Sequence, residues 1–420
     1  MQLFNGSVNQ SLKSAIKKPV LAFGSSSAIA QLFTMVYMLL LARYLGPDKY
    51  GTYIAPFAIA NLTSILINQG LDTWLLRTDS IKTPVLDTTG KVFKLKLLTG
   101  VVWGVLLWII APGFRPDLYP LLLLMLCILD VWSDSLLHTL LASLNVVRKI
   151  KNYSLMLLFS RGIRLISLLV LMLLNVKDIT LIAGVRVILS ILSMLLALVL
   201  VKPSHLPISN KEKCEILKSA QPFALSEALS IIYVQADITL LTLLKTKTTA
   251  GVYSPVSTLI NALFIIPSSI HLYAIPLLSQ LFQYNNEKFI KSAKKLLVWL
   301  FLLGLILAMA IGIVGSKLVV FLLGSAYEVT GKLIVILSPL LLLKSMEFGF
   351  VSNIIAMDKQ KFRLLPQLIA ALVNLALNIW AIPRFGEFGA AWVYLLSELV
   401  LFIGYALVFW VWFEKTKRQT

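Results

Sequence analysis

The chain has 420 residues, of which 58% are hydrophobic and 14% are charged, and its mean hydropathy is +0.87. A soluble domain carries about 25% charged residues, so this composition excludes a soluble globular enzyme, a disordered chain and a disulfide-rich secreted scaffold. The two cysteines, Cys127 and Cys214, have neither a pairing pattern nor metal-ligand spacing. The composition therefore predicts an all-α polytopic membrane protein.

Apolar runs of about 20 residues, the length that crosses a bilayer as a helix, recur along the whole chain. The first six cover residues 19–41, 52–76, 92–110, 119–144, 153–174 and 179–201. The other six cover residues 216–244, 252–278, 296–314, 333–356, 364–382 and 388–413. We therefore expect about 12 transmembrane helices in two six-helix lobes, residues 1–205 and 206–420, with a central cavity between them.

The 38 Lys and Arg residues against 19 Asp and Glu residues give a net charge of +19. Of these cations, 25 lie in the termini and the even-numbered connections when Lys94, Lys96 and Lys218, within the first five residues of a span, are grouped with the connection before them; 9 lie in the odd-numbered connections, and 4 lie deeper inside the spans. Cytoplasmic loops carry such an excess of Lys and Arg. The pattern predicts that both termini face the cytoplasm, and it explains the net charge without a nucleic-acid partner.

Catalytic patterns are missing from the sequence. No outer connection is longer than about twenty residues by the span lengths above, which leaves no room for the catalytic loop of a membrane glycosyltransferase or polymerase. His138, His205 and His271 are far apart, and we expect each to be a satisfied polar residue. The sequence therefore predicts that the chain is not an enzyme and needs no cofactor or metal.

The two halves resemble each other at an offset of 200 residues. Residues 50–53 (YGTY), between spans one and two, match residues 250–253 (AGVY), between spans seven and eight. An even number of spans in each repeat gives both halves the same orientation, so they should be related by an axis along the membrane normal with a cavity near the midplane.

Segments 41–47 (LARYLGP), 50–53 (YGTY) and 70–77 (GLDTWLLR) resemble the opening of bacterial polysaccharide (O-antigen-type) flippases of the multidrug/oligosaccharidyl-lipid/polysaccharide exporter superfamily. Segments 324–327 (GSAY), 374–378 (NLALN) and 383–391 (PRFGEFGAA) extend this resemblance over nearly the whole chain.

The resemblance implies a two-lobed transporter in the bacterial cytoplasmic membrane. Its cargo would be an undecaprenyl-pyrophosphate-linked sugar repeat unit, moved to the outer leaflet by alternating access for O-antigen, capsule or exopolysaccharide assembly. The expected partners are the lipid bilayer, this sugar-lipid and the polymerase and chain-length machinery that follows. Drug exporters of the same superfamily usually carry an acidic residue in the first helix, and span one here has none.

Charged side chains inside a membrane are costly and mark substrate pathways or buried ion pairs. Arg161 and Arg164 share a face of span five, and Arg186 lies in span six. These arginines could form a wall that binds a pyrophosphate through two oxygens at once. They could equally pair with Asp130 and Asp134 of span four, which also share a face.

Two further cations are weaker substrate candidates. Lys344 in span ten has Glu347 one turn away, so a local ion pair competes with substrate contact there. Arg77, at the cytoplasmic end of span two, could contact the pyrophosphate on entry or serve as a positive-inside anchor.

Acidic residues inside the spans are candidates for ion coupling, since a buried carboxyl group can load and release a proton as access alternates. Glu227 and Glu398 lie near the middle of spans seven and twelve and are the first candidates. The remaining candidates are Asp130, Asp134 and Asp237. A drug or small-amphiphile exporter on the same fold is the first alternative function, and a membrane glycan polymerase or ligase is the second.

Overall fold

A computed structural model describes the backbone of residues 5–77, 85–204 and 208–417, with their side chains except those of residues 5–23, 77, 233 and 234. Every regular element in these ranges is helical, and no strand occurs in them. The predicted all-α fold is therefore confirmed. The predicted boundary between the lobes, at residues 205 and 206, lies outside the described residues.

The helices follow one another with short connections. In the N-terminal half they are α1 (Asn5–Thr63), α2 (Ile65–Asn68), α3 (Leu71–Arg77), α4 (Val85–Phe114), α5 (Leu121–Val146), α6 (Ile150–Leu173) and α7 (Ile179–Val201). In the C-terminal half they are α8 (Asn210–Leu244), α9 (Lys247–Leu263), α10 (Ile265–Tyr284), α11 (Asn286–Leu323), α12 (Glu328–Leu337), α13 (Leu340–Ala356) and α14 (Leu364–Lys417). Two short 3-10 turns, Ser325–Tyr327 and Gln360–Arg363, precede α12 and α14.

The lengths and apolarity of these helices suit a membrane. Within the described ranges, eight are long and apolar enough to cross it, or ten when each of two bent pairs is taken as one span. Two of the eight are interrupted by glycines with positive φ, at Gly46 (φ 75°) and Gly386 (φ 58°), so each divides into two spans. This arrangement is consistent with the twelve predicted spans.

Polar side chains fix where several helices begin. The Asp178 carboxylate accepts hydrogen bonds from the backbone N–H groups of Thr180 and Leu181 and so caps α7. A reciprocal pair of hydrogen bonds between Ser209 and Glu212 forms a capping box at the start of α8. These caps place the helix ends in the polar connections and leave the apolar stretches to cross the bilayer.

The repeat predicted from residues 50–53 and 250–253 is visible as a structural correspondence. The first straight segment after the Gly46 break ends at Thr63, and α9 ends at Leu263, 200 positions later. In each half a short break follows and a second helical segment continues. The two halves therefore share the bend as well as the sequence motif.

The two copies of the motif pack against each other. A Cβ atom on Gly251 would lie 2.9 Å from the Gly51 nitrogen and would overlap the Pro47 carbonyl oxygen. A Cβ on Gly51 would overlap the carbonyl oxygen of Lys247. We refer to Gly51 and Gly251 as the glycine contact. Only residues without side chains allow α1 and α9 to approach this closely.

Hydrogen bonds between the halves surround the glycine contact. The Thr248 hydroxyl donates to Asp48 at 2.7 Å, and the Tyr327 hydroxyl donates to the Ala42 carbonyl at 2.7 Å. Arg115 reaches the Leu243 carbonyl at 3.0 Å at the same end of the molecule. The odd-numbered connections thus join the two halves at one end.

Candidate functional site

A cavity of about 570 Å³ lies between the two halves, as the sequence predicted. Its walls come from α1, α5, α6 and α7 on one side and from α9 on the other. A second cavity of about 320 Å³ reaches α3 and α8. The two cavities adjoin, because they share the lining residues Phe57, Asn61, Asp134, His138 and Arg186.

Asp134 of α5 binds both arginines of α6. Arg161 donates through both terminal nitrogens to the two carboxylate oxygens of Asp134, each at 2.9 Å, and Arg164 donates to one of those oxygens at 2.9 Å. Arg161 lines the larger cavity, whereas the Arg164 side chain is buried and lines neither. One turn of α6 separates the two arginines, which explains why one carboxylate can hold both.

Arg186 of α7 has a separate partner on the same face of α5. Its Nε donates to Asp130 at 2.8 Å, and the Ser190 hydroxyl donates to the other Asp130 oxygen. The guanidinium carbon lies 4.7 Å from the centre of the Phe57 ring and 5.0 Å from that of Tyr37. Such cation–π contacts hold the guanidinium at the cavity wall.

We refer to Arg161, Arg164, Arg186, Asp130 and Asp134 together as the arginine cluster. The sequence left ion pairing and substrate contact as alternatives for the arginines. All three are paired with carboxylates, and Arg161 and Arg186 also line the cavity. Three guanidinium groups against two carboxylates give this cluster a formal charge of +1 when all are ionised. The pairing offsets part of the desolvation cost of the buried arginines, and the surplus positive charge favours an anion.

His138 lies one turn after Asp134 and lines both cavities. Its Nε2 is 3.1 Å from Nη2 of Arg161 and 3.6 Å from Oδ2 of Asp134, and about half of its side chain is exposed. From the sequence we expect His138 to be a satisfied polar residue with no role in the site. The signal in the sequence was its four-residue spacing from Asp134, which places the two side chains on the same face of a helix.

The cation count groups Lys96 with the connection before span three, but the structure places this residue inside the bundle. The structure buries Lys96 completely inside the bundle, where its ammonium contacts Asp72 at 2.8 Å and Thr139 at 3.1 Å. The Thr139 hydroxyl donates to the other Asp72 oxygen at 2.6 Å. Asp72 lines the smaller cavity, so the wall there carries a neutralised ion pair.

Glu227 of α8 faces the smaller cavity from the C-terminal half. It is half-buried and lies near Gly70, at the break between α2 and α3. Among the predicted coupling residues, Glu227, Asp130 and Asp134 thus lie around one connected space. The other two, Asp237 and Glu398, line neither cavity.

The C-terminal half encloses its charges instead. The Lys344 ammonium of α13 contacts Glu347 at 3.1 Å and Glu398 of α14 at 2.6 Å. Both carboxylates are almost fully buried, and each keeps one buried oxygen without a hydrogen-bond partner. We refer to Lys344, Glu347 and Glu398 as the lysine cluster. Lys344 is among the predicted substrate residues, but it lines neither cavity.

Asp237 occupies a second buried polar site in this half. Its carboxylate accepts hydrogen bonds from the Tyr253 hydroxyl at 3.1 Å and from the Asn378 amide at 2.7 Å. Asn378 is bonded to Asn374, which reaches Ser397, the neighbour of Glu398 in sequence. These amides belong to the segment 374–378 that the sequence singled out, although their bond to Asp237 could not be read from it.

The remaining predicted site residue, Arg77, ends α3, and its side chain lies outside the described residues. Among the residues that the structure describes, no group of three or more His, Cys, Asp or Glu side chains could hold a metal ion.

A family of polysaccharide biosynthesis proteins matches residues 16–282, which is more than half of the chain. The chain belongs to that family. Its membership confirms the resemblance indicated by the segments 41–47, 50–53 and 70–77. No curated protein matches the sequence.

Solved structures share the fold at low sequence identity. The lipid II flippase MurJ in an inward closed conformation superposes with a TM-score of 0.73 at 14% identity, over 92% of this chain and 87% of that one. A multidrug resistance MATE family transporter of the MOP superfamily, in its inward-facing conformation, gives 0.71 at 12% identity over 94% and 99%. An outward-facing MATE family transporter gives 0.67 at 13% identity over 96% and 97%. The two-lobed membrane fold is therefore shared with these transporters.

Proposed function

We propose that this family member is a flippase for undecaprenyl-pyrophosphate-linked oligosaccharide repeat units. It would move them from the inner to the outer leaflet of the bacterial cytoplasmic membrane by alternating access. The observation that carries the proposal is the cavity between the halves, whose wall includes Arg161 and Arg186. A diphosphate is the anion that such a wall suits, because each guanidinium can bind two phosphate oxygens.

The neutral lining of the larger cavity supports a sugar cargo. Gln31 and Thr34 of α1 and Asn61 contribute amide and hydroxyl groups on one side, and Thr258 and Asn261 of α9 contribute them on the other. Amides and hydroxyls can both donate and accept hydrogen bonds, as sugar hydroxyls require. In this proposal the arginines bind the diphosphate, the neutral groups bind the sugar, and the lipid tail stays in the bilayer.

The proposed orientation follows from the distribution of cations. The connections with few cations meet around the glycine contact, which we assign to the outer face, so that both termini are cytoplasmic. A closed outer face and a cavity between the halves are the arrangement expected of a transporter before it opens outward. Arg77 at the end of α3 would then lie near the cytoplasmic entry. Lys344 lines neither cavity, so it would affect cargo binding indirectly, by holding the helices of the C-terminal half together.

The test is transport of a fluorescent undecaprenyl-diphosphate sugar in proteoliposomes that contain the full-length protein. We expect Arg161→Gln and Arg186→Gln each to reduce transport about tenfold, because hydrogen bonds to charged groups contribute ~1.5–3 kcal/mol. The control is Lys332→Gln, which removes a cation from an exposed ion pair with Glu328. Transport by both arginine variants at the rate of the control would overturn the proposal.

The same variants distinguish a drug exporter, which the MATE-like fold makes the second candidate. An exporter of cationic drugs should tolerate the loss of Arg161 or Arg186, or gain from it, because the cavity becomes less positive. Drug efflux that is maintained or increased, with no transport of the sugar-lipid, would favour that alternative.

We further propose that protons drive export, with Glu227 or Glu398 as the coupling carboxyl group and Asp130, Asp134 and Asp237 as secondary candidates. Glu227 is supported by its position at the smaller cavity, and Glu398 by its enclosure beside Lys344. If Glu227→Gln and Glu398→Gln each left transport and its dependence on the pH gradient unchanged, neither residue would be the coupling site.

A further inference from the structure

His138 and Arg161 make a contact that is possible only for one protonation state of the histidine. A guanidinium group has five N–H donors and no acceptor, so a hydrogen bond from Nη2 of Arg161 requires a lone pair on Nε2 of His138. The observed separation is 3.1 Å. The imidazole in this arrangement is therefore unprotonated at Nε2 and neutral.

Protonation of His138 would exclude this contact. An imidazolium carries N–H groups at both ring nitrogens, so Nε2–H would point at a guanidinium that also offers only hydrogens. The same nitrogen lies 3.6 Å from Oδ2 of Asp134, which now accepts from Arg161. A protonated His138 would therefore compete with Arg161 for this carboxylate oxygen.

The charged groups around His138 would direct the displaced Arg161 guanidinium into the larger cavity. Arg164 holds the other Asp134 oxygen from α6, and Arg186 of α7 is bound to Asp130. The remaining charged groups near His138 are Glu227 of α8, Asp72 of α3 and Lys96 of α4. Asp72 is already paired with Lys96, so the open direction for the Arg161 guanidinium is the larger cavity that it lines.

We propose that His138 is a positioning residue that controls when Arg161 can bind a diphosphate. With His138 neutral, Arg161 is bound to Asp134; with His138 protonated, the imidazolium takes Asp134 and Arg161 turns to the anion. This inference rests on the proposed function, and it names the residue that links proton and diphosphate binding at that site. About half of the His138 side chain is exposed, so protons can reach it.

The sign of this linkage follows from reciprocity. If a proton on His138 favours diphosphate binding, then bound diphosphate favours the proton by the same factor. The antiported proton of the proposed export cycle must instead be released when cargo binds, so it must use a group outside this contact. Glu227 and Glu398, the first proposed coupling residues, lie outside this contact, whereas the secondary candidate Asp134 is part of it.

The test measures binding of UDP-glucose, a soluble diphosphate diester, to the full-length protein in detergent between pH 8 and pH 5.5. Histidine is the side chain that ordinarily changes its protonation within this range, whereas the diester keeps its charge throughout. We expect the affinity of the wild-type protein to rise about tenfold as the pH falls, equivalent to ~1.4 kcal/mol. His138→Gln should bind at every pH as the wild-type protein does at pH 8, and His138→Lys should bind more tightly at every pH.

His271 offers a matched control, because it is half-buried in the C-terminal half, away from Arg161, and is hydrogen-bonded to Ser352 and to the Phe348 carbonyl. The His271→Gln variant should keep the wild-type pH profile. A pH dependence that persists in His138→Gln would overturn the inference while leaving the proposed function intact. If the wild-type protein bound no diphosphate at any pH, the proposed function would fail, and this inference would fail with it.

Discussion

The two halves share a bend and a glycine motif, yet they treat their buried charges differently. In the N-terminal half, Arg161 and Arg186 are paired with carboxylates and also line a cavity. In the C-terminal half, Lys344 and Glu398 are paired and line neither of the two cavities. Both arrangements offset the free energy needed to place a charged side chain inside a membrane. Only the first leaves charge available to a ligand, so in the proposed function the cargo would bind mainly through the N-terminal half.

The strongest way to test this comparison is to remove the central cation of the lysine cluster. Lys344→Met would leave two enclosed carboxylates without their ammonium, and we expect a loss of ~3–5 kcal/mol in the free energy of unfolding. Arg161→Met should cost less, about 1–2 kcal/mol, because Asp134 keeps its ion pair with Arg164 and lines the cavity rather than being enclosed. Chemical unfolding of the two variants and the wild-type protein in detergent measures both changes in the free energy of unfolding.

Two variants serve as checks on this result. Lys332→Met removes an exposed ion pair and should change the free energy of unfolding by less than ~0.5 kcal/mol. Adding Glu347→Gln and Glu398→Gln to Lys344→Met should restore much of the stability. If Lys344→Met were as stable as Lys332→Met, the enclosed character of the lysine cluster would be disproved.

The contact between the halves gives an intermediate effect. Gly51→Ala would place a Cβ on the Lys247 carbonyl oxygen, which belongs to the backbone and cannot rotate away. We expect α1 and α9 to separate, with a cost of ~1–3 kcal/mol. The yield of a disulfide between Asp48→Cys and Thr248→Cys, whose native side chains lie 2.7 Å apart, should fall several-fold.

Gly184→Ala is the matched control, since a Cβ there meets nothing within 4 Å. An unchanged disulfide yield in Gly51→Ala would show that the glycine contact does not hold the halves together.

The smallest expected effect concerns the opposite end, where Lys91 of α4 meets Glu212 of α8. The Lys91 ammonium lowers the pKa of the Glu212 carboxyl from its usual 4.5 to about 2. A carboxyl whose pKa is lowered on folding adds stability above its unfolded value and loses it as the pH falls through the folded value. The stabilising effect should therefore be complete above about pH 4.5 and absent below about pH 2.

Thermal unfolding of Glu212→Gln checks this prediction. Because both side chains are partly exposed, the melting temperature should fall only slightly at pH 7, and the difference from the wild-type protein should shrink as the pH falls toward 2. A difference that is constant across this pH range would contradict the assignment of the pair. Glu287→Gln, whose partner Lys291 lies on the same helix, is the control that does not join two halves.

The sequence predicted best those features of the fold that depend on residues close together along the chain. The apolar runs predicted helices, and the gaps between those runs at residues 42–51 and 383–387 contain Gly46 and Gly386, where the structure breaks the helix. The candidate site was found in part. Asp130 and Asp134 lie four residues apart on one helix face and do meet arginines of neighbouring helices.

The sequence did not predict which charged residues on different helices form ion pairs. Arg161 and Asp134 are separated by 27 residues and Lys344 and Glu398 by 54, and nothing in those intervals specifies that they touch. Lys96 was misplaced for a related reason: a lysine near the start of an apolar run can reach out to the interface or be enclosed by Asp72 and Thr139. Only the packing of α3 and α5 against α4 decides this.

The sequence by itself determined that the chain is a membrane-spanning helical protein with a duplicated architecture and charges inside the bilayer. Those properties depend on composition, on the lengths of apolar segments and on repeats, which are all readable along one dimension. The tertiary structure decided which charges face a cavity, which are enclosed, and that a histidine shares the carboxylate of Arg161. These relations depend on how helices pack side by side, because an ion pair is defined by distances in space that the order of residues does not fix.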